Sequence, residues 1–121
     1  MPFRLVAAAA LCVVAAQPVL AQSLEQMAGQ MIVVGFVGNS VDDNSVAEMR
    51  AEIANGEIGG VMFLKTNVAS RSAVIAMNEA FRAAAPDLKP FITLDQEGGA
   101  DERLTEAVGF TEIPSAETIA K

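Results

Sequence analysis

Three apolar runs recur along this chain at intervals of about 30 residues, the length of one βαβ unit: Met31 to Phe36, Gly60 to Leu64 and Phe91 to Leu94. Runs this short and this apolar are what strands buried on both faces look like. Between them the apolar residues change to helical spacing. Val46, Met49 and Ile53 form one stripe, stopped by Asn55-Gly56. Val74, Met77, Phe81 and then Ala84 or Ala85 form another, from a cap near Ser70 to Pro86. Strand, helix, strand in that order gives right-handed crossovers and parallel pairing, so the expected class is α/β. Ser23 with Gln26, and Ser45 with Glu48, have the spacing of capping boxes, and Gly29 is placed to close a short first helix ahead of the first strand.

The third run ends abruptly in Asp95-Gln96-Glu97-Gly98-Gly99. An apolar strand that delivers polar groups at its C-terminal end marks the rim where α/β folds place their sites. Asp95 and Glu97, spaced i and i+2, project from a strand end to the same face. Two carboxylates are the equipment of a glycosidase, but neighbours on one strand more often serve binding or a local hydrogen-bond network. Arg103 carries five donors in a planar fork, suited to vicinal hydroxyls or a carboxylate; the alternative is a solvated arginine paired with Asp101 or Glu106. Gly98-Gly99 lets the backbone turn sharply off the strand and approach a ligand closely. Lys65 and Asn67 lie past the second run on the same rim, with Lys65 read as a solvated loop residue. Met27, Met31, Met49, Met62 and Met77 read as core filler.

Several function classes are disfavoured. The net charge is −7 with no basic patch, which repels phosphate backbones and argues against nucleic acid as a partner. There is no Gly-rich phosphate loop and no metal-ligand spacing among the carboxylates, so no cofactor and no metal is expected. Met1 to Ala21 has the plan of a secretory signal: Arg4, an apolar core from Leu5 to Ala16, and Val19-Leu20-Ala21 ahead of Gln22. Its 12-residue core is too short to span about 30 Å of hydrocarbon, so cleavage after Ala21 and a periplasmic or secreted location are expected, without a stable membrane anchor. Residues 22–121 then form the mature segment, at a net charge of −8 because Arg4 is the only charge removed, and without Cys12.

Four motifs in order carry a resemblance. Ser23-Leu24-Glu25-Gln26-Met27-Ala28-Gly29-Gln30-Met31-Ile32-Val33-Val34-Gly35-Phe36 comes first, then Ile58-Gly59-Gly60-Val61-Met62-Phe63-Leu64 with Asn67. Asp95-Gln96-Glu97-Gly98-Gly99 with Arg103 follows, and then Ile113-Pro114-Ser115-Ala116. Together they resemble the opening of a family 3 glycoside hydrolase, and within it the β-N-acetylhexosaminidase branch, from about Ser23 to Lys121. The resemblance implies the N-terminal part of a (β/α)8 TIM barrel, incomplete at about three βα units, since a barrel needs about 250 residues. It implies a carbohydrate substrate, with Asp95 and Arg103 binding the hydroxyls of the non-reducing sugar and Glu97, Gly98 and Gly99 supporting them. The family's catalytic groups, an aspartate nucleophile and a histidine acid/base, come later in its chain; this sequence has no histidine, so no catalytic residue is assigned in it. Ala100-Asp101-Glu102 departs from the family pattern of a basic and then an apolar residue. A family 3 β-glucosidase and a non-catalytic carbohydrate-binding or interaction fragment are the alternative readings. The remaining part of the barrel is the expected partner of the third strand, which would otherwise present a long apolar edge.

Overall fold

A computed structural model describes residues 22–121; the expected signal segment and its cleavage site lie outside the described residues. Helix α1 (Leu24–Gly29) starts as the sequence predicts, with Gln26 N–H donating to the Ser23 hydroxyl and the Gln26 side chain accepting from Ser23 N–H. Then come β1 (Val33–Gly35), α2 (Asn44–Asn55), β2 (Gly60–Phe63) and α3 (Arg71–Ala84). Strand β3 (Phe91–Leu94) and the short α4 (Ala116–Ile119) complete the order. Gly56 ends α2 in the left-handed conformation, and Ser70 caps α3 by accepting from Ala73 N–H, both where the sequence put them.

The strands form one parallel sheet of order β1-β2-β3, with Val33 opposite Gly60 and Gly60 opposite Phe91. Helices α2 and α3 pack against each other and bury the predicted stripes, Val46 and Ile53 from one and Val74, Met77 and Phe81 from the other. At the centre Phe36, Phe63 and Phe81 meet edge to face, with ring centroids 5.1, 5.4 and 6.3 Å apart. Phe36 follows β1 directly and Phe63 ends β2, so this cluster lies directly under the rim.

Four expectations need correction. The Ser45–Glu48 capping box does not form: α2 begins after Asp43, whose carboxylate accepts instead from Asn39 and Ser40 N–H at 2.7 and 3.0 Å, while the Ser45 hydroxyl donates to the Val37 carbonyl at 2.6 Å. The β1–α2 loop outcompeted the helix for both side chains. Gly29 is the last residue of α1, as expected, but without the left-handed turn of a capping glycine; it is buried against the backbone of Gly56 and Glu57, where no side chain fits. Met27, Met31 and Met62 are exposed, leaving Met77 as the fully buried methionine and Met49 packed at the core's margin. The apolar edge of β3 is four residues long, exposed at Phe91 and half-buried from Ile92 to Leu94. No helix among the described residues is long and apolar enough to cross a membrane.

Candidate functional site

Parallel pairing brings the loops after β1, β2 and β3 to one rim. Asn67 ties the first two together. It is fully buried in a 3-10 turn (Lys65–Asn67), where its Oδ1 accepts from Leu64 N–H at 2.7 Å and its Nδ2 donates to the carbonyls of Phe36 and Gly38 at 3.0 and 2.7 Å. Its rim position is therefore spent on holding the loops. Lys65 is exposed, as expected. Beside them an open groove of about 640 Å³ is lined by Val37, Asn39, Asp43, Ser45 and Thr66, among others, and includes neither Asp95 nor Arg103.

Asp95 and Arg103 are brought together. Arg103 Nη2 donates to Asp95 Oδ2 at 2.7 Å, and Nη1 stands 3.9 Å from Asp101 Oδ1. The arginine side chain is 20% exposed and the aspartate 48%, so the carboxylate faces solvent while the arginine is largely covered. The alternative partner Asp101 is thus a distant second contact, and Glu106 makes no ion pair with Arg103. Glu97 is not brought into the pair. The strand has ended at Leu94, its carboxylate makes no hydrogen bond or ion pair among the described residues, and its N–H donates to the Asp101 carbonyl at 3.0 Å.

Gly98 and Gly99 turn with φ of +77° and +61°, as the sharp exit from the strand requires. Their close approach is to the chain itself rather than to open solvent. A side chain at Gly98 would meet the Ile113 and Pro114 carbonyl oxygens at 2.5 and 2.6 Å, and Gly99 N–H donates to the Ile113 carbonyl at 3.3 Å. The loop after β3 is therefore closed onto residues 113–115, the last of the four sequence motifs.

Two residues at the centre of this loop escaped the sequence reading. Gln96 Oε1 accepts from the N–H groups of Arg103 and Leu104 at 2.8 and 3.0 Å, while its Nε2 donates to Glu102 Oε1 at 3.1 Å and to the Leu104 carbonyl at 3.3 Å. Glu102, only 8% exposed, also accepts from Ile113 N–H at 2.9 Å. The one available signal was that Glu102 is an acid in a place the motif fills otherwise.

The loop carries four carboxylates, Asp95, Glu97, Asp101 and Glu102, to one arginine, so it repels anions and suits a neutral polyol. Asp95 offers acceptors for hydroxyl hydrogens and Arg103 spare N–H donors for hydroxyl oxygens. The fold and the site thus define a parallel α/β region with an Asp95–Arg103 ion pair just past a strand's C-terminal end. Known proteins carry the same region. The chain is 35% identical over 89 residues to a β-hexosaminidase of Stenotrophomonas maltophilia (strain R551-3), covering 74% of this chain and 24% of that protein. It is 36% identical over 84 residues to one of Xanthomonas oryzae pv. oryzae (strain MAFF 311018), covering 69% and 23%. A solved family 3 glycoside hydrolase, the β-N-acetylglucosaminidase of Paenibacillus sp. str. FPU-7, superposes with a TM-score of 0.64 at 28% identity over 78% of this chain and 18% of that one. No protein-family model matches the chain. The chain contains a family 3 glycoside hydrolase, β-N-acetylhexosaminidase-like region and spans about a quarter of the length of the curated relatives it matches.

Proposed function

We propose that this chain supplies the first three βα units of a (β/α)8 barrel in an exo-acting β-N-acetylhexosaminidase. The enzyme would release terminal N-acetylglucosamine from peptidoglycan fragments or related glycans. The Asp95–Arg103 pair carries the reading: a solvent-facing carboxylate and a held guanidinium at 2.7 Å, on the rim of a region similar to β-hexosaminidases. In it Asp95 and Arg103 grip the terminal sugar's hydroxyls, and the nucleophile and acid/base are contributed by other segments. A hydroxyl pair entering between the two exchanges one ion-pair contact for several charge-assisted hydrogen bonds.

The test uses the whole enzyme carrying this segment, with aryl N-acetyl-β-glucosaminide and aryl β-glucoside as substrates. Asp95→Ala and Arg103→Ala are each expected to cost about 1.5–3 kcal/mol in kcat/KM on the N-acetylated substrate. The double variant should lose less than the sum, because both hold one ring. Wild-type kinetics in either single variant, or strict additivity, rejects the shared grip; preference for the plain glucoside moves the protein to the β-glucosidase reading.

Export belongs to the same proposal and rests on the plan of residues 1–21. N-terminal sequencing of protein expressed in a secreting bacterium should return Gln22 as the first residue, from material outside the cytoplasm. Cytoplasmic protein beginning at Met1 or Pro2 would refute it.

A further inference from the structure

We propose that Glu102 is a positioning residue for this site. Its buried carboxylate fixes the orientation of the Gln96 amide and thereby sets Arg103 on Asp95 before any sugar arrives. The sugar part of this inference rests on the function proposed above; the preset pair does not.

The argument is one of donors and acceptors. An ionised carboxylate only accepts, and Glu102 Oε1 takes two donors, Gln96 Nε2 at 3.1 Å and Ile113 N–H at 2.9 Å. A buried carboxylate is costly unless such donors surround it. Facing it, the Gln96 amide must present its NH2 side, which leaves Oε1 for the N–H groups of Arg103 and Leu104 at 2.8 and 3.0 Å. The reverse orientation would oppose an oxygen to the carboxylate and an NH2 group to two N–H donors. Gln96 adjoins Asp95 in sequence and holds the backbone of Arg103 through its tip, so one residue spans both members of the pair. Ile113 locks the far side, where the Gly98 turn rests. Apart from Leu104's carbonyl, Glu102 is the only acceptor that Gln96 Nε2 finds among the described residues.

The experiment compares Glu102→Ala, Glu102→Gln and Gln96→Glu in the whole protein. In the ligand-free state, the Nε and Nη signals of ¹⁵N-labelled Arg103 report whether the guanidinium is held. Wild type should show slowed rotation of the guanidinium; Glu102→Ala should show it averaged. Glu102→Gln, which keeps an oxygen for both donors, should resemble wild type. Gln96→Glu, which sets a second carboxylate against Glu102 at unchanged volume, should loosen Arg103 and serves if Glu102→Ala does not fold. In turnover of the aryl N-acetyl-β-glucosaminide, the loosened variants should raise KM by about tenfold with kcat nearly unchanged, the mark of a lost ground-state grip. Arg103 signals in Glu102→Ala and Gln96→Glu that match wild type overturn the proposal, as does a Glu102→Gln variant as loose as Glu102→Ala. An Arg103→Ala variant with unchanged KM rejects the sugar reading instead, a result the ligand-free signals do not depend on.

Discussion

Phe81→Ala is expected to lower the unfolding free energy by about 3–5 kcal/mol, the largest effect of any single truncation here. Phe81 is fully buried and stacks edge to face on Phe36 and Phe63 at 5.4 and 6.3 Å. Its removal forfeits the transfer energy of a whole ring, the aromatic contacts and the packing around the hole left behind. Of the other two rings, Phe63 sits on strand backbone and Phe36 directly after β1, so the hole has little means of collapsing. Urea unfolding followed by circular dichroism measures the change, with Ile75→Ala on the exposed side of the same helix as the control that should move stability only slightly. A loss for Phe81→Ala near that of the control would mean the three rings do not form the core.

Asn67→Ala comes second, at about 3 kcal/mol, because it strands one N–H at Leu64 and two carbonyls at Phe36 and Gly38. The sharper variant is Asn67→Asp. It keeps the acceptor for Leu64 N–H but turns the donor into an oxygen facing two carbonyl oxygens, so it should be no better than alanine despite its matching shape. Thermal melts of the two variants side by side decide this. An aspartate variant as stable as wild type would show that the donor half of Asn67 contributes nothing.

What the sequence disclosed followed from local rules. The 3.6-residue stripe ending at Phe81, the Ser70 cap and the Asn55-Gly56 stop are set by neighbours in the chain, and α3 and the end of α2 appear where those signals stand. The β1 run looked longer than it is because Met31 and Ile32 are apolar, yet they belong to the turn out of α1, where Met31 N–H donates to Ala28 and Ile32 N–H to Gly29. Exposed Met31 and Met62 were assigned to the core because composition does not say which face a residue takes. At the site, Asp95 and Arg103 were legible as residue types suited to hydroxyls, while their direct contact at 2.7 Å was not foreseen. Gln96 and Glu102 were not legible. Their bonds reach residues 6 to 11 positions away across an irregular loop, where no period connects partners.

Where α1 meets the segment leading into β2, backbone packs closely on backbone. Gly29 lies on the backbone of Gly56 and Glu57, Gly59 lies on that of Gln30 and donates to the Ile32 carbonyl at 2.9 Å, while Leu24 and Met27 already face water. Undocking α1 therefore uncovers amides and little hydrocarbon. Both the denaturant slope and the heat-capacity increment of an opening grow with the surface it exposes, the latter with apolar surface above all. That end of the molecule accordingly opens with a small heat-capacity increment, whereas the phenylalanine cluster under the rim opens with a large one. One short chain thus holds two regions with different thermal responses.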